Sequence, residues 1–208
     1  MKRMLVSALV PLAAAAAVVI TQGWGEPVSP ACPDEAYERR AGEGRLNELA
    51  LKLHLTAPRI VIRKGARELT LYDGARAVRV YRVGLGFDPE GDKARQGDGR
   101  TPEGSFYVCV KNSKSRYYLS LGLSYPSERH AARGLRDGLI TRAQHDQIIR
   151  ALGSKARPPW DTPLGGEIFI HGHGSKSDWT FGCVALEDGD MKELFDATPE
   201  GTQVVVEP

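Results

Sequence analysis

The feature that most constrains the fold is a hairpin pattern in residues 68–86, which read ELTLYDGARAVRVYRVGLG. Apolar and polar residues alternate on both sides of Asp73-Gly74. This dipeptide is a strong signal for a two-residue turn, because the favoured turn needs positive φ angles that Asp and Gly tolerate. The pattern therefore predicts an antiparallel hairpin that turns at Asp73-Gly74.

Further short runs rich in β-branched and aromatic residues predict more strands. Gly- and Asp-rich residues 87–100 predict a loop, and Pro102 and Gly104 predict a turn before the next strand. The expected strands are RIVIRK at 59–64, Ser105–Val110, a run within 117–126 that ends at Pro126, EIFIH at 167–171 and a final run within 201–208.

Residues 127–153 change to a helical period. Ser127 and Thr141 are suitable N-caps, and Gln144 completes a capping-box pattern with Thr141. We expect two helices separated at Gly138, and a further short helix at 188–197. The predicted fold class is mainly β with a helical insert (α+β). The insert lies between motif segments, which suggests a lid over a cleft.

The first 24 residues predict a targeting segment. Lys2 and Arg3 precede 17 uncharged apolar or small residues, as in a secretory signal peptide. The alternative is an uncleaved anchor, because the run approaches the roughly 20 residues that span a bilayer. Either interpretation predicts an exported protein of the periplasm or cell envelope, in contact with the membrane only if the segment is retained.

The segment after the targeting sequence differs in composition from the rest. Residues 25–33 contain three prolines and predict a linker, and 34–54 predict a helical arm that Gly42 and Gly44 interrupt. We therefore divide the chain into residues 1–24, a linker and arm at 25–56, and a catalytic domain at 57–208.

The charge balance argues against nucleic acid as a partner. The formal charge is +2, and Lys2 and Arg3 alone equal this excess. The remainder carries no basic field of the kind that attracts nucleic acid.

Three cysteines leave at least one thiol unpaired in an exported protein. Cys109 lies in a β-rich run and is expected to be a buried apolar side chain. Cys32 lies in the linker. Cys183 lies in HGHGSKSDWTFGCVAL at 171–186, which also holds His171 and His173.

This stretch permits three interpretations. His171, His173 and Cys183 could ligate zinc, but such a site usually needs three or four ligands. The other histidines fall in helical or linker segments, with His130 and His145 expected at the surface of the insert, and no CxxC pair exists. We therefore expect no metal and no cofactor. The second interpretation is a structural cysteine beside histidines that have no catalytic role.

The third interpretation is a cysteine nucleophile. An imidazole activates a thiol of ordinary pKa by taking its proton, and His171 ends a predicted strand that can hold the ring in place. Gly182 lets the backbone approach a substrate closely. The amides of Gly182 and Cys183 would then stabilise a developing oxyanion.

Four segments together resemble the YkuD-type L,D-transpeptidase family. They are TPEGSFYV at 101–108, IFIHG at 168–172, DWTFGCVAL at 178–186 and GTQVVV at 201–206. The resemblance covers roughly residues 57–208 and implies a β-sandwich or barrel catalytic domain, here with an N-terminal helical arm. Family members form a thioester with a peptidoglycan stem peptide, release the terminal D-Ala and transfer the acyl group to an amine.

Carried onto this chain, the resemblance implies that Cys183 is the nucleophile and His171 the general base. Gly182 and Cys183 would supply the oxyanion hole, and Thr101 and Pro102 would shape the substrate cleft. The neighbouring motif residues are expected to contact substrate; these are His173, Asp178, Trp179 and Thr180.

Two departures limit what the resemblance implies. Phe181 stands where many members have a second histidine, and Ala185 where an arginine is common. The motif Asp-Trp-Thr-x-Gly-Cys resembles a branch that includes peptidoglycan hydrolases and enzymes that release lipoprotein. Peptidoglycan is the expected partner, with an outer-membrane lipoprotein as an acceptor or a released product. Transpeptidation, hydrolysis, a catalytically silent wall-binding module and a metal hydrolase remain as alternatives.

Overall fold

The computed structural model describes residues 55–208, so the targeting segment and the predicted helical arm lie outside the described residues. Eight strands and three helices make up this part. The strands are β1 (Pro58–Arg63), β2 (Glu68–Asp73), β3 (Arg76–Arg82), β4 (Gly104–Ser115), β5 (Tyr118–Leu123), β6 (Phe169–His171), β7 (Val184–Ala185) and β8 (Gln203–Glu207). The helices are α1 (Glu128–Arg136), α2 (Arg142–Gly153) and α3 (Asp188–Ala197). The predicted class, mainly β with a helical insert, is confirmed.

The strands form one sheet in the order β3-β2-β1-β8-β4-β5-β6-β7. Neighbours pair antiparallel except β1 with β8 and β6 with β7, which are parallel. The sheet curls until its two ends meet, because Gly84 and Gly86, just after β3, bridge to Ala185 and Thr180 at the β7 end. The last strand in sequence therefore lies mid-sheet, while the shortest strand closes the curl.

The predicted hairpin exists, but its turn is shifted by one residue. Asp73 pairs with Arg76, so the two-residue loop is Gly74-Ala75 and Gly74 takes the positive φ of 61°. Asp73 instead uses its carboxylate as an acceptor for the N–H groups of Thr56 and Ala57 and for the Thr56 hydroxyl. The aspartate thus holds the chain entering β1 against the hairpin.

The helical insert begins at both predicted caps. Thr141 and Gln144 form the full capping box at α2. Ser127 is the N-cap of α1, but its hydroxyl lies 2.6 Å from His130 Nδ1 and makes no cap hydrogen bond. The expectation that His130 is exposed is wrong: it is fully buried and lies 2.9 Å from Asp92 through Nε2. This contact fixes α1 to the loop before β4.

Most buried apolar side chains belong to one core inside the curled sheet, closed by α3. It includes Ile60, Leu71, Val108 and Ile170 from the sheet and Leu194 from α3. Burying each such side chain contributes about 1.5–3 kcal/mol. A second small cluster joins α1 to α2. The strands β5, β6 and β7 therefore pack against the main core through Leu121, Leu123, Ile170 and Val184, and the candidate site lies on these strands.

Candidate active site

His171 is the last residue of β6, held between two neighbouring strands. It pairs with Ser120 of β5 and with Ala185 of β7. Its carbonyl accepts the Leu186 N–H, and its side chain is buried. The sequence favours this position because the apolar run IFI fits the sheet interior and Gly172 follows it. A Cβ on Gly172 would lie 2.4 Å from the Asp188 carboxylate.

Cys183 enters β7 from a tight turn that Thr180 organises. The Thr180 hydroxyl accepts the Gly182 N–H at 3.2 Å and donates to the Cys183 carbonyl at 2.7 Å. Gly182 has a φ of 123°, and a Cβ there would lie 2.6 Å from the Arg100 carbonyl. A side chain at this position would displace the turn, so the glycine fixes where the cysteine begins its strand.

Cys183 and His171 line the same cavity of about 730 Å³. Ile170 pairs with Val184 in parallel register, so Cys183 lies beside Phe169. Side chains two residues apart on a strand share a face, so Phe169 and His171 point the same way. The parallel pairing therefore explains how a cysteine and a histidine twelve residues apart reach one cavity.

The Cys183 thiol is bonded to backbone groups. It accepts the Phe169 N–H at 3.4 Å and donates to the Glu167 carbonyl at 3.5 Å. Burial raises the pKa of the thiol to about 11, which outweighs the Phe169 hydrogen bond and the more distant charge of Lys93. The resting cysteine is therefore a neutral thiol at pH 7.

His171 is set up as a neutral base. Burial lowers the pKa of its imidazole below the usual value, a hydrogen bond to the Gly172 carbonyl opposes this, and His173 adds to the lowering. Nδ1 lies 2.7 Å from that carbonyl, which can only accept, so Nδ1 carries the proton. Nε2 is left with a free lone pair, as a general base requires.

The two amides predicted for the oxyanion hole differ in availability. The Gly182 N–H is already bonded to the Thr180 hydroxyl. An oxyanion would have to share the Gly182 N–H with the Thr180 hydroxyl or displace that hydroxyl. The Cys183 N–H belongs to the residue that carries the nucleophile, so it lies close to where the oxyanion would form. Their role in stabilising an oxyanion remains a prediction.

The other predicted site residues fall into two groups. Trp179 and Thr180 line the cavity with Cys183 and His171. Thr101 and Pro102 are buried and lie outside its lining. The Thr101 hydroxyl accepts the Gly86 N–H and donates to the Cys183 carbonyl at 3.4 Å. Thr101 therefore supports the backbone of the nucleophile from a position outside the cavity lining.

His173 and Asp178 are not brought to this cavity. His173 is exposed at a φ of 78° and, with Trp179, lines a smaller cavity of about 410 Å³. Asp178 accepts two N–H groups of Arg67 and the Leu85 N–H. These bonds hold the start of the 178–183 turn against the β1–β2 turn and the segment that follows β3.

Phe181 reaches the cavity rim with 77% of its surface exposed. Its ring meets Phe87 edge-on, with the centroids 5.5 Å apart. The position beside the nucleophile that often carries a histidine is therefore an apolar aromatic rim. It offers no group that exchanges protons.

Three contributors to the site were not identified from sequence. Tyr117, at the β4–β5 turn, stacks on His171, and the backbone groups of Phe169 and Glu167 hold the thiol. A tyrosine in a hairpin turn carries no motif signal. Backbone groups carry none at all, because every residue has them.

Within residues 55–208, no three side chains from His, Cys, Asp and Glu lie close enough together to hold a metal ion. Over the same range, no helix has the length and apolar character to cross a bilayer.

The insert does not cover the site. Among the described residues that line the cavity, none comes from α1 or α2. The lid suggested by its sequence position is therefore absent in this conformation, and α1 instead binds the loop before β4 through His130 and Asp92.

The chain is similar to solved structures of a cell shape determining protein and of L,D-transpeptidases. A point mutant of the helical cell shape determining protein Pgp2 from Campylobacter jejuni is 22% identical, with a TM-score of 0.53 over 73% of this chain and 47% of that one. An L,D-transpeptidase from Xylanimonas cellulosilytica is 16% identical, with a TM-score of 0.45 over 84% and 69% of the two chains. L,D-transpeptidase 1 of Mycobacterium tuberculosis is 14% identical, with a TM-score of 0.42 over 73% and 62%.

The match to Pgp2 shows a shared fold alone, and the chain spans less than half the length of that Pgp2 chain. No curated protein gives a significant match. The family model of the L,D-transpeptidase catalytic domain, YkuD, matches residues 57–206. This match covers most of the chain and every residue of the cavity, so the chain belongs to the YkuD L,D-transpeptidase catalytic domain family.

Proposed function

We propose that the chain is an exported cysteine-dependent acyltransferase that acts on peptidoglycan stem peptides through a Cys183 thioester. The observation that carries this proposal is the shared cavity of Cys183 and His171, with the His171 tautomer fixed by the Gly172 carbonyl. Membership of a peptidoglycan-acting family supports the choice of substrate.

The first half-reaction uses only these two side chains. His171 Nε2 takes the thiol proton as the sulfur attacks the carbonyl carbon of the stem-peptide amide, and a tetrahedral oxyanion forms. The C–N bond then breaks, the imidazolium gives its proton to the departing amine, and a thioester remains. A thiol with a pKa near 11 needs this proton transfer, because its thiolate is scarce at pH 7.

The second half-reaction depends on the acceptor. An amine attacks the thioester, His171 removes a proton from it, and the thiolate leaves and is reprotonated. With an amine the product is a cross-link or a lipoprotein attachment; with water it is a shortened stem. Hydrolysis is the alternative within the same chemistry.

Intact-protein mass spectrometry tests the thioester. Incubation with a tetrapeptide stem should add the mass of the donor less D-alanine, and a carbapenem should add to the same residue. Cys183→Ala should abolish both adducts. Cys109→Ala is the matched control, because Cys109 is also a free thiol but lies outside the cavity. An unchanged mass with both compounds would contradict the proposal and favour a silent wall-binding module.

Digestion of treated sacculi separates the acceptors. New muropeptide dimers relative to Cys183→Ala would indicate cross-linking. Shortened stems, lost dimers or freed lipoprotein would indicate cleavage.

Export is part of the same proposal, and it rests on Lys2, Arg3 and the apolar residues that follow. Cell fractionation of the full chain, with mass determination of its N-terminus, tests it. A cytoplasmic protein that retains residues 1–24 would contradict it.

A further inference from the structure

A serine, a histidine and an aspartate form a chain of hydrogen bonds away from the candidate active site. The Ser127 hydroxyl lies 2.6 Å from His130 Nδ1, and His130 Nε2 lies 2.9 Å from an Asp92 carboxylate oxygen. Asp92 belongs to the loop before β4, and the other two belong to the start of α1. None of the three lines the cavity that holds Cys183.

The Asp92 carboxylate determines the direction of these hydrogen bonds. Burial opposes its ionisation, but hydrogen bonds from His130, from the Glu103 N–H and from Arg133 outweigh burial and hold its pKa well below the usual value. Asp92 is therefore an anion at neutral pH and can only accept. His130 Nε2 carries the proton that it donates to Asp92, and Nδ1 is left with a lone pair that accepts the Ser127 O–H.

The order of these bonds is that of the serine hydrolases, in which an aspartate orients a histidine that removes the serine proton. The two ring nitrogens have exchanged places here, with Nδ1 toward the serine and Nε2 toward the aspartate. Either nitrogen can act as a base when the other carries the proton. The His130 ring is held in place, because it is fully buried and its centroid lies 4.8 Å from that of Tyr125. Ser127 therefore has an oriented base within reach of its proton.

Ser127 lies at a separate cavity of about 600 Å³. It is half-buried and lines this cavity together with Glu128 and Arg129, from the first turn of α1. The N–H groups of a first turn have no partner within their helix, and the Ser127 hydroxyl does not cap them. They are donors for the negative oxygen that forms when a serine attacks a carbonyl group, and the positive end of the helix dipole favours the same charge.

The burial of His130 restricts the leaving group. None of the imidazole surface is exposed, and His130 does not line the cavity that Ser127 lines. The ring can take the proton of the serine in front of it, but it is not open to a departing group that needs a proton. A substrate must therefore have a leaving group that departs as an anion. Aryl esters and thioesters meet this condition, whereas amides and alkyl esters do not.

We propose that Ser127 is a second nucleophile, which takes an acyl group from esters or thioesters whose leaving group is a weak base. The Ser127 oxygen bonds to the carbonyl carbon, its proton passes to His130 Nδ1, and the bond to the leaving group breaks as that group departs with the electron pair. The imidazolium beside Asp92 then gives its proton to solvent. Water hydrolyses the acyl-serine, which releases the acid and restores the hydroxyl. This activity goes beyond the proposed function and needs neither Cys183 nor His171.

The test measures acylation of the full-length Cys183→Ala protein, in which the thioester chemistry is removed. The probe is p-nitrophenyl acetate, and peptide mapping by mass spectrometry locates each acetyl group. Ser105 is the matched comparison within the same molecule, because it is an exposed serine that lines the same cavity. We expect Ser127 to be acetylated at least about a hundredfold faster than Ser105, since general base catalysis contributes that much. Equal acetylation of the two serines would overturn the inference.

The choice of ester tests the leaving group. Ethyl acetate delivers the same acetyl group but must lose a strongly basic alkoxide, so it should leave Ser127 unmodified. Acetylation of Ser127 by ethyl acetate at a rate similar to that of the aryl ester would overturn the restriction to weakly basic leaving groups.

A second pair of variants tests the base without any ester. In protein whose three cysteines are replaced by alanine, Ser127→Cys and Ser105→Cys each introduce a single thiol. His130 should activate the thiol at position 127, which should react with iodoacetamide at pH 7 at least about tenfold faster than the thiol at position 105. Equal alkylation rates would overturn the role of His130 as a base.

These outcomes are separate from those of the proposed function. A stem-peptide thioester on Cys183 with no acetyl group on Ser127 would overturn this inference and leave the proposed function standing. Acetylation of Ser127 in Cys183→Ala protein supports this inference whether or not the wild type forms that thioester. Ser127→Ala should abolish the Ser127 adduct and leave thioester formation at Cys183 within about threefold of the wild type, because the two cavities share no lining residue.

Discussion

The Tyr117 ring lies nearly parallel to the His171 imidazole, with the ring centroids 4.7 Å apart and the planes inclined by 28°. Trp179 meets the same imidazole edge-on, with the centroids 5.6 Å apart. The base of the proposed reaction is therefore enclosed by two aromatic rings and held by the Gly172 carbonyl. This enclosure accounts for the burial that lowers its pKa.

Removing the Tyr117 ring should change the pH dependence of thioester formation. Tyr117→Leu lets water reach the imidazole, so the pKa of His171 rises toward its ordinary value. The acid limb of the rate profile, where His171 becomes protonated, should then move to higher pH. We also expect about a tenfold lower rate at neutral pH, because the ring orientation is lost.

Tyr117→Phe is the control for that experiment, because it keeps the ring and removes only the hydroxyl. Its profile should match the wild type within about threefold. A Tyr117→Leu profile that falls in rate without moving along the pH axis would indicate a structural role for the ring only.

The Cys183 thiol should react slowly with alkylating agents at neutral pH. Its pKa of about 11 predicts that the rate rises about tenfold per pH unit through pH 7–9, with no plateau at neutral pH. A preformed thiolate–imidazolium pair would give a plateau instead. The measurement is the iodoacetamide rate against pH on Cys32→Ala/Cys109→Ala protein, in which Cys183 is the one cysteine that remains of three.

His171→Ala gives the complementary expectation. In the free protein the thiol is bonded to the Phe169 N–H and the Glu167 carbonyl. The alkylation profile should therefore be nearly unchanged in this variant, while thioester formation with a stem peptide is lost. Loss of both reactions would mean that His171 already activates the thiol before substrate binds.

Ionisation of these two groups also affects stability. The unfolded chain binds a proton at histidine below about pH 6.5. The pKa of folded His171 is lower, so its contribution to the free energy of unfolding falls as the pH drops through 6.5.

The Cys183 thiol affects stability at alkaline pH, since unfolded cysteine ionises near pH 9 while folded Cys183 does not. Stability should fall above pH 9, and less steeply in Cys183→Ala, as measured by denaturant unfolding.

Gly182→Ala should disrupt the turn that carries the nucleophile. The added Cβ would lie 2.6 Å from the Arg100 carbonyl, and a φ of 123° is strained for alanine. We expect a loss of about 2–4 kcal/mol in the free energy of unfolding, together with loss of thioester formation. Gly189→Ala in α3 is the control, because nothing lies within 4 Å of its added Cβ. Alanine there should stabilise by about 0.5–1 kcal/mol.

Local sequence signals correctly predicted the helices and strands whose ends are determined by residues nearby in the sequence. The α2 capping box and the bounds of α3 follow from residues within one turn of the helix end. Strand β7 was not predicted, because Val184–Ala185 is too short to show a period. Its pairing depends on β6 and on Gly84, which is distant in sequence. The predicted hairpin turn was wrong by one residue, because the Asp73 carboxylate accepts hydrogen bonds from the N–H groups of Thr56 and Ala57 and Asp73 stays in β2.

The same distinction applies to the site. Motifs at 168–172 and 178–186 predicted that His171 and Cys183 belong together, and both line one cavity. The partners of the resting thiol are backbone groups of Phe169 and Glu167, which side-chain identity does not reveal. Asp178 was predicted to contact substrate from its place in the motif. Its actual partner, Arg67, lies 111 residues away and could be found only from the fold.

The Arg67–Asp178 pair gives a test between support and substrate binding. Asp178 accepts the Arg67 Nη2–H at 2.8 Å and the Leu85 N–H at 2.9 Å, and both side chains are partly exposed. Asp178→Asn should lower the free energy of unfolding by about 1.5–3 kcal/mol, because hydrogen bonds to a charged group are lost. In a double-mutant cycle Arg67→Met should be coupled to it by about 1 kcal/mol.

The exposed pair Lys192–Asp196 on α3 supplies the comparison for this cycle. Its coupling should stay below about 0.5 kcal/mol, as for other exposed helix pairs. If Asp178 instead contacts the donor, Asp178→Asn would raise the KM for the stem peptide and leave the unfolding midpoint unchanged. We expect the opposite, a lower midpoint with kcat reduced more than KM is raised, because the turn that presents Cys183 is loosened.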